Sequence, residues 1–203
     1  MKKARIGFIG AGWWATTNHI PVLKERPDVT LAAVSRRSAE SLKKVQEAFP
    51  FEFATTDFEE LLEQPLDGVV ISTPHEVHYE QTRAALNANL HVLVEKPMTL
   101  DAKESWELVK LAKEKGCHLI VPHGWHYKSF IVEAKKRLDG GVVGKIEHVM
   151  CHMASPTREL FGGSDFKMEN LGDSLFSPDL SIYSQKARGG GYAYGQLTHS
   201  VAM

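Results

Sequence analysis

Three things are scarce in these 203 residues, and each scarcity removes a class of protein. No apolar run reaches the ~18 residues that a membrane-crossing helix needs, which excludes a helical span. Cysteine occurs only as Cys117 and Cys151, far apart and without CxxC spacing. Neither a disulfide framework nor a zinc site is indicated, and reduced thiols in a cytoplasmic protein are expected. Charge of one sign is not in excess: 24 Lys and Arg stand against 25 Asp and Glu, a net of -1, leaving no field to attract nucleic acid or an anionic membrane. Internal repeats and low-complexity tracts are missing too. Met1-Lys2-Lys3 runs straight into strand-like sequence without a leader-like apolar segment or cleavage site. What remains is ordinary globular composition, 43% hydrophobic and 24% charged, at a length suited to one large domain or one complete domain and part of another.

The stretch from Ile6 to Ala15, IGFIGAGWWA, carries the clearest local message. A short apolar run stops at Gly10 and a helix can start after Gly12. In glycine-rich dinucleotide turns the first glycine permits the tight strand-to-helix turn and the second lets backbone approach a pyrophosphate. A third small residue lets helix and strand pack closely. Gly10, Gly12 and Ala15 fit those places. The helix-opening amides, Trp13 and Trp14 among them, are where unpaired N–H groups and the positive end of the helix dipole meet phosphates.

Downstream, apolar runs and helical patterns alternate. Strands are predicted over Ala4 to Ile9, Val29 to Val34, Phe51 to Ala54, Leu66 to Ile71, His91 to Val94 and His118 to Val121. Helices are predicted over Ser38 to Phe49, Asp57 to Leu62, Glu76 to Asn87, Asp101 to Lys115 and Phe130 to Leu138, and a helix or helix-loop over Trp13 to Glu25, ended near Pro27. Glu60 and Glu104 are placed to complete capping boxes begun by Asp57 and Asp101. Continuous apolar strands separated by helices indicate an α/β fold, a parallel sheet covered on both faces. Such sheets bind ligands at the C-terminal ends of their strands. Ser72, Thr73 and Pro74 after one strand and Glu95-Lys96-Pro97 after the next therefore wall one crevice. Ser35-Arg36-Arg37 closes the second strand, where an acidic residue would accept bonds from the adenosine ribose. A small hydroxyl followed by two guanidiniums suits a 2′-phosphate instead, so NADP(H) is expected over NAD(H). The competing account of the arginine pair is a solvated loop before the Ser38 N-cap. Lone histidines such as His75 and His78 are more often structural, although His78, in a first helical turn at this rim, also counts as a cofactor-side candidate.

Taken in order, IGFIGAGWWA, the run Ser72-Thr73-Pro74-His75-Glu76-Val77-His78 and HVLVEKP at 91–97 resemble the Gfo/Idh/MocA family of oxidoreductases. The resemblance implies a Rossmann domain over residues 1–122 that binds NAD(H) or NADP(H), with NADP(H) preferred on the arginine pair. It implies the beginning of an α+β substrate domain over 123–203, with Lys145 to Met153 starting its sheet. The activity implied is hydride transfer between nicotinamide and a hydroxyl or carbonyl of a sugar, polyol or sugar derivative. Lys96 of the EKP motif would lie near the nicotinamide and the substrate oxygen, with Glu95 orienting it, and both count as cofactor-side residues.

Near the end, RGGGYAYGQLTH at 188–199 resembles the glycine-rich motif that opens the family's catalytic helix. His199 matches the histidine of that motif, whereas Gly195 stands where an Asp is usual four residues earlier. Three routes stay open: Lys96 and His199 acting alone, Tyr192 or Tyr194 substituting for the acid, or a different chemistry. Gly124, His126 and Tyr127 stand where relatives carry an Asn and an Arg-aromatic pair, so contacts there must differ. Relatives also run on beyond the position of Met203, so a substrate-domain sheet short of strands is expected, and with its uncovered edges a homo-oligomer. The alternative to an enzyme is a cofactor-binding or regulatory member without turnover.

Overall fold

Strands form where the apolar runs lie. β1 (Ala4–Ile9), β2 (Val29–Ser35), β3 (Phe53–Thr55), β4 (Gly68–Ile71), β5 (His91–Val94) and β6 (Leu119–Ile120) align in the order β3-β2-β1-β4-β5-β6. Every adjacent pair is parallel. The structure, a computed structural model, describes residues 2–150, 152, 174–185, 188–191 and 193–199. Helices α1 (Ile20–Lys24), α2 (Ala39–Ala48), α3 (Phe58–Leu62), α4 (His78–Asn87), α5 (Ala102–Lys115), α6 (Ser129–Asp139) and α7 (Leu180–Ser184) accompany the strands, with short 3-10 turns at His75–Val77 and Gly124–Tyr127 and π turns at Ala15–His19 and Ala193–Leu197.

Side chains alternate across a strand, so each face of the sheet gets its own core. Phe8, Val34 and Val70 join Ile20 of α1 and Leu42 and Val45 of α2 on one side. Ile9, Ala33, Val69 and Ile71 join Leu61 of α3, Ala85 and Leu86 of α4 and Leu108 and Ala112 of α5 on the other. Two buried faces explain strands that are apolar throughout rather than alternating. Phe8 alone, with no exposed surface, contributes about 2–3 kcal/mol by burial.

Polar residues set the element ends. Ser38 Oγ accepts the Ser41 amide at 3.3 Å, Asp101 Oδ1 accepts that of Lys103 at 2.7 Å, and Gly116 closes α5 at φ 65. The capping box expected at Asp57 takes another form. Asp57 Oδ1 accepts the Glu59 amide at 2.9 Å, but Thr55 Oγ1 accepts the Asp57 amide and donates in turn to Glu60 Oε2. The connection from β3 to α3 is so short that the last strand residue reaches the helix mouth before Glu60 does.

The helix expected over Trp13 to Glu25 is present, but it widens to a π turn over Ala15–His19 before α1. Pro21 accounts for this: it has no N–H to give, and its ring cannot pass the carbonyl four residues back. A widened turn, with the Ile20 amide bonded to Ala15 O, absorbs the misfit.

The strand expected at Lys145 does not form: residues 145–150 and 152 are exposed and lie in no strand. A strand alone leaves its amides and carbonyls unpaired, and no neighbour among the described residues pairs with this one. Cys151, Met153 and residues 154–173 lie outside the described residues. Among the described residues, no helix is long and apolar enough to cross a membrane.

Candidate active site

The strand order turns back between β1 and β4, which opens a crevice beyond the strand ends. Main-chain bonds stitch its rim: Gly10 N–H to Ser35 O at 3.0 Å, Ser72 N–H to Ile9 O at 2.9 Å and Glu95 N–H to Ile71 O at 2.9 Å. Gly10 sits at φ 85, and a Cβ there would come within 2.5 Å of Thr73 Cγ2 and 2.8 Å of Ser72 O. Only glycine lets the turn lie this close to the end of β4. Gly12 is different, because a Cβ there would meet nothing within 4 Å. Ala15 is fully buried behind it, and the Trp13 indole N–H is buried with no acceptor among the described residues. Open backbone, helix-opening amides and a spare buried donor fit a phosphate-bearing ligand such as a dinucleotide.

At the end of β2, Ser35 is buried and its carbonyl serves Gly10. Arg36 folds back over the glycine turn, where its Nη1 donates to Ala11 O and its guanidinium lies 3.8 Å from the centre of the Phe176 ring. Burial pushes the Arg36 pKa down, and no carboxylate among the described residues counteracts it. Arg37, by contrast, is exposed.

Glu95 and Lys96 occupy the end of β5. The Trp14 indole donates to Glu95 Oε1 at 2.8 Å and His19 Nε2 lies 2.7 Å from the same oxygen, while Glu95 Oε2 accepts the Lys96 amide at 3.1 Å. Burial pushes the Glu95 carboxyl up, but His19, Trp14 and that amide together hold it below its ordinary value. Lys96 extends across the crevice and donates from Nζ to the carbonyl of Gly195 at 3.0 Å. Burial lowers the Lys96 pKa, and the Glu95 charge opposes that only in part. The peptide bond from Lys96 to Pro97 is cis.

His199 lies in the same corner. Its ring stands edge-on to His123, with centroids 6.1 Å apart, and both rings have a buried Nδ1 without a partner among the described residues. Burial lowers the pKa of each, and the nearby Lys96 charge lowers them further. Tyr183 of α7 also belongs here: burial, then the Glu95 charge, push its phenol up to about 12.

The described residues 174–185, 188–191 and 193–199 are fastened to the rim by the Phe176 stack on Arg36, Arg188 to Glu76 at 2.7 Å, His75 to Gly189 O at 3.1 Å and Lys96 to Gly195 O. The crevice thus gathers Gly10, Gly12, Trp13, Trp14, Ser72, Thr73, Pro74, Glu95, Lys96 and His199. His78, counted above among the cofactor-side residues, is instead fully buried beneath the rim. Its ring bridges Pro97 O at 2.8 Å and Thr73 O at 2.9 Å, so it shapes the two strand ends rather than facing a ligand. Tyr192 and the side chain of Tyr194 lie outside the described residues. Sequence reasoning missed His19, Phe176 and Tyr183. A histidine inside a helical pattern or an aromatic in a turn-rich stretch gives no local sign of its distant partner.

Comparison with known proteins accords with this geometry. Residues 4–123 match an oxidoreductase family with an NAD-binding Rossmann fold. The chain is 30% identical to the scyllo-inositol 2-dehydrogenase (NADP(+)) of Bacillus subtilis over 88% of this chain and 51% of that one. A 3-ketoreductase from Actinomadura kijaniata, solved in complex with TDP-benzene and NADP, superposes with a TM-score of 0.64 at 30% identity, covering 71% of this chain and 46% of that one. The WlbA dehydrogenase of Bordetella pertussis, solved with NADH and UDP-GlcNAcA, gives a TM-score of 0.66 at 26% identity over 71% of this chain and 42% of that one. The chain spans about half the length, or less, of the relatives it matches.

Proposed function

The chain belongs to the Gfo/Idh/MocA family of oxidoreductases, with an NAD-binding Rossmann fold, and from that premise we propose a dehydrogenase or reductase of sugar-like hydroxyl and carbonyl groups that prefers NADP(H). Residues 1–122 hold the dinucleotide and residues 123–203 contribute the substrate side. The observation that carries this reading is the reach of Lys96 from the cofactor rim to Gly195, one helical turn from His199. The preference for NADP(H) is supported by Arg36, a half-buried cation whose pKa burial lowers and for which the described residues supply no carboxylate.

When bound, the nicotinamide supplies the hydride donor or acceptor. Every other role falls to residues of this chain, through backbone or side chain. Gly10, Gly12, Trp13, Trp14 and Ala15 cradle the diphosphate, Ser35, Arg36 and Arg37 face the adenosine ribose, and Ser72, Thr73 and Pro74 wall the opposite side. The Lys96 ammonium, more acidic than an ordinary lysine because it is buried, hydrogen-bonds a substrate oxygen and polarises it, while the proton itself passes between that oxygen and His199 in both directions. His199, lowered by burial and by Lys96, is neutral near pH 7 and accepts the hydroxyl proton during oxidation. Glu95, held by His19 and Trp14, keeps a negative charge beside Lys96.

Titration with NADPH and NADH, followed by nicotinamide fluorescence, tests the first half of this reading. Turnover against polyols, sugars and nucleotide sugars tests the second. Lys96→Ala and His199→Ala are expected to lower turnover by roughly 10²–10⁴-fold with little effect on NADPH binding. Wild-type rates in both variants would remove them from the reaction. A second reading, a cofactor-binding member without turnover, is favoured by one observation: Lys96 meets a main-chain carbonyl at Gly195 where relatives place a carboxylate. Tight NADPH binding with no turnover on any substrate class would select it.

A further inference from the structure

An arginine on a loop carries considerable rotamer freedom, yet Arg36 is held in one place. Its Nη1 is committed to Ala11 O, one guanidinium face is covered by Phe176 at 3.8 Å, and it is half-buried. Phe176 is itself fixed. Together with Leu175 it packs on the core face that includes Phe8, Leu31 and Val34, and Ser174 Oγ donates to Phe176 O at 3.2 Å. A cation over an aromatic face is attracted by the ring quadrupole, more so where water is displaced. The stack also leaves the Nε and Nη2 edge of Arg36 without an acceptor among the described residues. A guanidinium oriented in advance loses less entropy when it takes an anion in two parallel bonds.

We propose that Phe176 is a specificity-determining residue: its ring holds the Arg36 guanidinium ready for the 2′-phosphate that distinguishes NADP(H) from NAD(H). The inference rests on the reading of Arg36 as the 2′-phosphate residue, and it gives part of the nucleotide selection to the second half of the chain. Phe176 therefore contributes to ligands bearing a 2′-phosphate and not to those lacking one.

The test is calorimetric binding of adenosine 2′,5′-bisphosphate and of AMP to the 203-residue chain, two probes that differ only in the 2′-phosphate. Phe176→Leu, which keeps apolar bulk without a π face, and Phe176→Ala are each expected to weaken the bisphosphate by about five- to tenfold. AMP affinity is expected to stay within about twofold. In an Arg36→Ala background, Phe176→Leu is expected to add nothing further, as a double-mutant cycle requires if the ring acts through the guanidinium. Phe176→Leu binding the bisphosphate like wild type while Arg36→Ala loses it overturns the inference and leaves the reading of Arg36 standing. Equal weakening of both probes also overturns it, by showing that Phe176 only packs. If Arg36→Ala itself leaves bisphosphate affinity intact, the reading of Arg36 fails and the inference falls with it.

Discussion

Glu95 and Lys96 are adjacent in sequence but solve opposite electrostatic problems. Glu95 is a buried anion made affordable by two donors on one oxygen, Trp14 and His19, whereas Lys96 is a buried cation whose side chain, among the described residues, is bonded to a carbonyl, Gly195 O. Environments that set the two groups apart are what proton transfer near neutral pH requires. His75, at the same rim, shows what burial does when it outweighs a neighbouring anion, Glu76. It is 8% exposed, its Nδ1 donates to Gly189 O, and burial pushes its pKa down to about 4, with the His78 and Lys96 charges acting in the same direction. The sign follows directly. As pH falls below about 6.5 the unfolded chain takes up a proton at this residue before the folded chain does, so stability drops until about pH 4. The loss from this residue amounts to about 2 kcal/mol by pH 5. His75→Asn keeps a donor near the position of Nδ1 and cannot titrate. Urea unfolding at about pH 7.5 and about pH 5 is expected to show a smaller acid loss in the variant than in the wild type. Equal losses would assign the acid sensitivity to another group.

At the level of elements, the turn from β1 into the π-widened helix carries two glycines with different duties. Gly10 lies at φ 85 against Thr73 and Ser72, so Gly10→Ala strains the backbone by roughly 1–2 kcal/mol and pushes the ends of β1 and β4 apart as well. Gly12 has free space where its Cβ would be, so Gly12→Ala folds normally and intrudes only on a ligand. Thermal melts and NADPH titrations of both variants are expected to separate them, Gly10→Ala losing stability and binding, Gly12→Ala losing binding alone. Normal NADPH affinity in Gly12→Ala would move the diphosphate away from this turn. The same turn shows what the sequence makes legible. IGFIGAGWWA announces strand, turn and helix because those features follow one another within a few residues, and the apolar runs from Ala4 to Val94 report burial on both faces by being unbroken rather than alternating. The π turn at Ala15–His19 is not announced, since Pro21 reads equally well as a helix end. The His19 contact with Glu95 bridges 76 residues, and Phe176 arises from a stretch without periodicity, so no local pattern encodes either. Glu60 was misplaced for the opposite reason: its capping spacing is right, but Thr55 competes for both partners.

Over the whole molecule, apolar surface is distributed unevenly. The helices flanking the sheet bury their apolar stripes on it, but Phe130, Val132 and Leu138 of α6 and Val142, Val143, Ile146, Val149 and Met150 after it are all exposed, Met150 at 85%. None of them belongs to either core cluster. Soluble monomers rarely leave this much apolar side chain in water within one segment, and the hydrophobic effect favours covering it in proportion to the area removed from solvent. The 203-residue chain is therefore expected to bind anilinonaphthalene sulfonate and to gain apparent mass in light scattering as its concentration rises. Phe130→Ser combined with Val142→Ser and Val143→Ser is expected to weaken both signals while leaving the melting temperature and NADPH affinity unchanged, because those side chains touch neither core nor crevice. A chain that stays monomeric and dye-free at every concentration would show that this segment is covered in solution by contacts within the same molecule, and the expectation of self-association would fall.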